Sequence, residues 1–164
     1  MLLKVIGDFE RISDHAVNVV ESAEEMQSRG FSFSGTAAAE LNTLTAAVEE
    51  ILDLSLRAFA ENDTQALRLI EPLEQIIDEL KEQLRTQHIL RLQQGVCTIE
   101  VGFVWSDLLT DLERTADHCS NVSGCLVDLS LHDMNIHENL RSIKADNEDF
   151  RQGIQHYRAK YALK

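Results

Sequence analysis

The chain has 164 residues, one proline, seven glycines and a formal net charge of −13 at pH 7. A chain of this length buries the core of one domain, and its abundant Leu, Ala, Glu and Gln favour an all-α fold. The negative charge excludes nucleic acid as a partner, because nothing would neutralise the phosphates. No apolar run reaches the roughly 18 residues of a bilayer span and no signal peptide is visible, so we predict no direct membrane insertion.

Hydrophobic spacing predicts five helical stretches with short connections, which is typical of an antiparallel up-and-down bundle. They extend from about residue 3 to 29, from Thr36 to Asn62-Asp63, from there to near Gly95, from about 96 to 131, and from 136 to 161. Gly30 is suited to the position after the first helix. Thr36 and Asp63 are the expected N-caps of the second and third helices. Pro72 lies inside the third helix, where we expect a kink because proline removes a backbone hydrogen bond.

The fifth stretch has apolar residues at a strict 4-3 spacing with one polar position, which indicates a coiled-coil seam. The seam consists of Ile136, Leu140, Ile143, Asn147, Phe150, Ile154, Tyr157 and Tyr161. The rest of the bundle is its expected partner, and a second copy of the chain is the alternative. The three cysteines, Cys97, Cys119 and Cys125, lack CxxC spacing, so we predict reduced, mostly buried thiols and no thiolate zinc site.

One fifteen-residue segment occurs twice, as Gly7–Glu21 and again as Thr110–Gly124, and seven of the fifteen positions are identical. The identical pairs are Asp8/Asp111, Glu10/Glu113, Arg11/Arg114, Asp14/Asp117, His15/His118, Asn18/Asn121 and Val19/Val122. All but the valines are polar. A duplication that preserved only packing would retain apolar positions, so the pattern indicates retained chemistry.

In each copy, a Glu and an Asp four residues apart lie on one helix face. Glu113 and Asp117 form one such pair, and Glu10 and Asp14 form its twin. Rows of carboxylate oxygens suit Mg, Ca, Mn or iron. A solvated surface is the alternative explanation for such acids. The histidines lie about 100° around the helix from the aspartates, so we expect them to be helpers or surface residues rather than metal ligands.

A further acidic pair, Glu74 and Asp78, lies in the third predicted helix. Antiparallel packing would bring this pair towards Glu113 and Asp117 on the fourth helix. Four carboxylates from two helices suffice to hold a metal cluster. The alternative is that Glu74 and Asp78 belong to the solvated face.

The segments Asp8–His15 and Asp111–His118 resemble the repeated DLERIGDH phrase of PhoU proteins, which are helical regulators of phosphate uptake built from two three-helix bundles. The chain also resembles the PhoU-like C-terminal domain of bacterial sodium/phosphate cotransporter-family proteins. His88–Leu92, Gly95 and the run Asp117–Asn121 fit that branch. The resemblance covers nearly the whole chain, although only the two repeats are specific.

In this family, E(D)xxxD pairs bind multinuclear iron or zinc clusters. The resemblance therefore implies metal ligands at the six acids that match these motifs. They are Glu10, Asp14, Glu74, Asp78, Glu113 and Asp117. Ser13 and Ala116 replace the family's glycine between the acids, and because both are small they preserve a close approach.

The resemblance also implies an incomplete first bundle. Residues 1–29 match its last helix, 36–131 match a complete second bundle, and 136–161 form an additional helix. We therefore expect a fragment of a longer membrane protein whose transmembrane part lies upstream. The first metal motif would then lack its partner helix. The apolar face of the first helix, formed by Leu2, Val5, Ile6 and Phe9, would be exposed and could support a homodimer.

These observations favour a non-catalytic, cytoplasmic domain of a sodium-dependent phosphate transporter. It would bind metal through paired carboxylates, contact the transmembrane part of the transporter and regulate uptake. Two alternatives remain open. One is a metal-free acidic module that binds a basic partner. The other is a di-metal carboxylate enzyme, which is disfavoured because no histidine follows a glutamate at the Glu-x-x-His spacing of such sites.

Overall fold

A computed structural model describes residues 2–133 and 147–163, and these residues form five helices and no strand. The helices are α1 (Leu2–Arg29), α2 (Gly35–Glu61), α3 (Thr64–Gln93), α4 (Ile99–Asp133) and α5 (Asn147–Lys160). The prediction of an all-α bundle of about five helices is confirmed for these residues. None of the helices in the described part of the chain combines the length and apolarity that a bilayer-spanning segment needs.

The helix ends follow local side-chain chemistry. Gly30 has a φ of 65° directly after α1, a conformation that glycine adopts without steric cost. Asp63 is the N-cap of α3, as predicted, and its carboxylate accepts backbone hydrogen bonds from the first turn. The prediction for α2 is wrong: Thr36 lies inside the helix, and Ser34 is the N-cap. The Ser34 backbone is extended, so its hydroxyl can accept a hydrogen bond from the Ala37 amide at 3.2 Å.

Helices α2, α3 and α4 pack against one another around the main core, and α5 packs on α3. Ile154, Tyr157 and Tyr161 are buried in that core, so this part of the seam faces the bundle, as predicted, whereas the seam position Phe150 is 37% exposed. Residues Ile136, Leu140 and Ile143 lie outside the described residues. Pro72 is buried inside α3, and Gly153 of α5 fits against it: an added Cβ at Gly153 would lie 2.9 Å from its ring.

Helix α1 packs chiefly along α4. On the side facing α4, Val5 is buried with Val122 and Cys125. The prediction of an exposed apolar face is therefore wrong for Val5, which is buried, and for Phe9, which is half-buried against the same cluster. The outer side of α1 exposes five large apolar side chains: Leu2, Leu3, Ile6, Val17 and Val20. Two of the three cysteines, Cys119 and Cys125, are buried, as predicted.

Candidate metal centre and helix-pairing site

The two copies of the repeat face each other across the contact between α1 and α4. His15 Nδ1 lies 2.7 Å from Asp111 Oδ1, and His118 Nδ1 lies 3.0 Å from Asp8 Oδ1. Each histidine therefore pairs with the aspartate of the other copy. This exchange requires antiparallel helices related by a local two-fold axis, as in a self-complementary interface.

The two histidine rings stack on each other, with ring centroids 5.6 Å apart and an interplanar angle of 22°. Asp8, Asp111 and His118 are buried, and His15 is half-buried. The prediction that the histidines are helpers or surface residues missed this role. A sequence signal did exist, because Asp and His are seven residues apart in both copies and so share a helix face.

The pairing is not fully symmetric. Asn18 Nδ2 donates a second hydrogen bond to Asp111 Oδ1 at 2.9 Å. At the other end, Asp8 Oδ2 is buried and has no hydrogen-bond partner among the described residues. The carboxylate of Asp8 therefore depends on His118 more heavily than Asp111 depends on His15.

The predicted acids of α3 and α4 lie close together. Five residues form what we call the carboxylate cluster: Glu71, Glu74 and Asp78 on α3, and Glu113 and Asp117 on α4. Burial is the largest cause that raises the pKa of Glu74 from 4.5 to about 7, and the other four carboxylates each add to the shift. Antiparallel packing thus brings the two acidic pairs together, as the sequence predicts.

Two types of side chain contact the cluster. Lys81 Nζ lies 2.9 Å from Glu113 Oε1, and both side chains are mostly shielded from solvent. The hydroxyls of Ser120 and Ser123 donate hydrogen bonds to Glu71 Oε1 at 2.6 and 3.2 Å. The serine pair was not identified from the sequence, since serine at helical spacing gives no distinctive pattern.

The twin pair on α1 is in a different environment, because Glu10 and Asp14 are both exposed. Within residues 2–133 and 147–163, no group of three or more His, Cys, Asp or Glu side chains has a geometry that could hold a metal ion. The donor chemistry on α3 and α4 nevertheless fits a hard cation, because the cluster contains only carboxylate oxygens. Burial first, and then the four neighbouring carboxylates, raise the pKa of Glu74, and a bound cation would offset the negative charge of those neighbours. Metal binding remains a prediction at all six acids.

Comparisons with known proteins support this architecture. Residues 41–126, which span most of α2 to α4, match the family described as PhoU domain. The chain is 24% identical over 147 residues to the phosphate-specific transport system accessory protein PhoU homolog 1 of Thermotoga maritima. This alignment covers 90% of this chain and 62% of the relative. It is 30% identical over 134 residues to an uncharacterized protein of Deinococcus radiodurans, covering 81% of this chain and 48% of the relative. The chain thus spans less than two thirds of either relative. No solved structure gives a significant match.

Proposed function

This chain belongs to the PhoU domain family, and on that premise we propose that it is a non-catalytic regulator of phosphate uptake. The name of the Thermotoga maritima relative, an accessory protein of a phosphate-specific transport system, supports the process that we assign. We further propose the setting: the cytoplasmic PhoU-like part of a sodium-dependent phosphate transporter. Its partner would then be the transmembrane part of that transporter, and the resemblance of the His88–Leu92 segment supports this assignment.

The observation that carries the proposal is the carboxylate cluster. Glu74 lies among four other acids that belong to two helices, and burial together with the charge of these acids raises its pKa to about 7. Glu74 and Asp78 would hold a metal ion from α3, and Glu113 and Asp117 would hold it from α4, with iron or zinc expected. A bound cation would supply the positive charge that joins the two helices.

The chain's own residues supply a regulatory response. A metal ion that binds to the cluster would displace the proton of Glu74, so the fraction of protein with bound metal would increase with pH. Lys81 competes for Glu113, because the two side chains are already paired. If metal binding moved α4, the two His–Asp pairs would transmit the movement to α1, since these pairs join the two helices directly. The exposed outer side of α1 is available to the transporter or to a second copy of the chain.

The test is phosphate uptake in the source organism, measured before and after phosphate starvation. We expect Glu113→Gln/Asp117→Asn to alter the change in uptake rate that starvation produces. The matched control is Glu10→Gln/Asp14→Asn, which changes the exposed twin pair. A strain carrying Glu113→Gln/Asp117→Asn whose uptake follows the wild type under both conditions would refute the regulatory role of the cluster.

A metal-free interaction module is the second candidate, and the pairing of Lys81 with Glu113 favours it. In that case the acids recognise a basic protein surface. Binding to such a surface should weaken steeply as salt increases, and added iron, zinc or manganese should leave the melting temperature unchanged. A metal-binding regulator should show the opposite pattern, with a higher melting temperature in the presence of its metal.

A further inference from the structure

A small cavity lies at the end of the bundle where the α1–α2 and α3–α4 loops meet. Its volume is about 110 Å³, and its walls come from both loops and from α2, α3 and α4. It shares no residue with the carboxylate cluster. The sequence segment around His88 and Cys97, which the repeats leave unexplained, forms part of its wall.

Three side chains that line this cavity carry a buried polar atom without a hydrogen-bond partner in the described part of the chain. These atoms are His88 Nε2, Arg91 Nη2 and Trp105 Nε1. His88 is 8% exposed and Trp105 is 1% exposed. Buried polar groups are nearly always hydrogen-bonded, so unpartnered atoms on three side chains that line one cavity require an explanation. The arginine and indole nitrogens can only donate, so an acceptor must complete them.

The three side chains hold one another in place. The ring of His88 stacks on Trp105 with centroids 5.9 Å apart, and the Arg91 guanidinium lies 5.2 Å above the same indole. Glu40 binds the other arm of Arg91, with Oε2 2.7 Å from Nη1. The guanidinium is thereby oriented, and its Nη2 remains free for another acceptor. Gly102 provides room for the imidazole, because an added Cβ there would lie 2.7 Å from His88 Nε2.

Arg91 and two helix N-termini supply positive charge at this end of the bundle, where Glu40 pairs with Arg91 and Glu100 lies in the first turn of α4. The cavity is lined by Ser34, the N-cap of α2, and by Thr98, whose carbonyl and hydroxyl accept backbone amide hydrogen bonds at the start of α4. The N-terminus of a helix carries partial positive charge and unpaired amides. Burial, together with the neighbouring Arg91, lowers the pKa of His88. This shift favours the neutral imidazole, which has one nitrogen that can accept a hydrogen bond.

We propose that this cavity binds a small tetrahedral oxyanion, held by Arg91, Trp105 and His88 at the N-termini of α2 and α4. The ligand accepts hydrogen bonds from the guanidinium and the indole. A protonated oxyanion such as phosphate also donates its hydroxyl to the neutral imidazole, which sulfate cannot do at neutral pH. This inference goes beyond the proposed function, since it concerns other residues and does not require a metal.

Trp105 is the only tryptophan of the chain, so its fluorescence reports directly on the cavity. The experiment titrates inorganic phosphate, sulfate and acetate separately at constant ionic strength, with calorimetry as a second readout. We expect a saturable change with phosphate. Equal binding of sulfate would support the oxyanion site and would show that His88 does not discriminate. No saturable response to phosphate or sulfate up to about 10 mM, or a response to acetate alone, would overturn the proposal.

Arg91→Lys keeps a positive charge for Glu40 but removes the planar fork, so it should weaken phosphate binding at least tenfold. Gly102→Ala crowds His88 without changing any polar group, and it should also weaken binding. The matched control is Arg85→Lys, which changes an exposed arginine of the same helix and should leave binding unchanged. Circular dichroism confirms that each variant folds. If folded Arg91→Lys and Gly102→Ala both bind phosphate as the wild type does, the site is refuted.

Discussion

Helices α1 and α4 carry the two copies of the repeat, and positions that correspond at the spacing of the repeat lie in opposite environments. Trp105 and Leu109 of α4 are 1% and 3% exposed, whereas their counterparts in α1, Leu2 and Ile6, are 63% and 60% exposed. The reason is the neighbourhood of each helix. Helix α4 packs against α1, α2 and α3, whereas α1 packs chiefly against α4. The positions just before the two copies of the repeat are therefore part of the core in α4 and part of an exposed apolar surface in α1.

The comparison separates two roles within the repeat. Repeated residues contribute to the α1–α4 contact: Asp8 pairs with His118, both His15 and Asn18 pair with Asp111, and Val122 is buried against Val5. The repeated acidic pairs do not take part in the hydrogen bonds of that contact. Part of what the duplication retains is therefore helix pairing, and only the remaining acids are available for other chemistry.

The largest expected difference concerns the matched apolar positions. Leu109→Ala should reduce the free energy of unfolding by about 3–4 kcal/mol, because it opens a cavity in the core. Ile6→Ala, at the equivalent position of α1, should cost less than about 0.5 kcal/mol, because this side chain is already solvated. Urea denaturation of the two variants measures both values. Similar losses in the two variants would show that α1 is covered in solution, for example by a second copy of the chain.

The next effect concerns the two halves of the His–Asp pairing. His118→Ala leaves the buried Asp8 carboxylate without its partner and should cost about 3 kcal/mol. His15→Ala should cost only about 1.5 kcal/mol, because Asp111 retains the hydrogen bond from Asn18. The control is His156→Ala, at an exposed histidine of α5. Equal costs at His118 and His15 would contradict the asymmetry described above.

A smaller, pH-dependent effect is expected at Glu74. Its pKa is raised in the folded protein from 4.5 to about 7, so the folded chain holds a proton that the unfolded chain has released across that interval. Its contribution to stability is therefore favourable at low pH and falls as the pH rises through about 7. Allowing for solvent screening, Glu74→Gln should be more stable than the wild type by about 1–2 kcal/mol near pH 8 and nearly equal to it near pH 4.5.

Chemical denaturation of both proteins across this pH range provides the measurement. Glu10→Gln is the matched control, because this exposed acid belongs to the twin motif on α1. If Glu74→Gln and the wild type had the same pH dependence, burial and the four neighbouring carboxylates would not raise the pKa of Glu74 as described.

Several features of the fold could be predicted because they depend on local chemistry. Helical periodicity located the helices, Gly30 and Asp63 marked two of their ends, and antiparallel packing brought Glu74 towards Glu113. The N-cap of α2 could not be assigned with the same success, because Ser34 and Thr36 both have a capping hydroxyl. The choice between them depends on where the chain leaves α1.

Other features depend on contacts between distant parts of the chain. The exchange of partners between His15 and His118 requires α1 and α4 to pack at one particular register, which no single helix encodes. The cavity at Arg91 is formed by three helices and two loops, and its residues have no recognisable sequence spacing. The burial of Val5 similarly depends on which side of α1 faces α4.

Metal content is the most direct test of the central claim, that the acidic pairs of α3 and α4 form a regulatory metal centre. Elemental analysis of untagged protein, purified without chelators, would be compared for the wild type, Glu113→Ala/Asp117→Ala and the twin variant Glu10→Ala/Asp14→Ala. We predict stoichiometric iron or zinc in the wild type and its loss in the α4 variant. The α1 variant should retain the metal that is bound by the carboxylate cluster. Wild-type protein that contains no metal and takes up none when iron, zinc or manganese is added would contradict the claim.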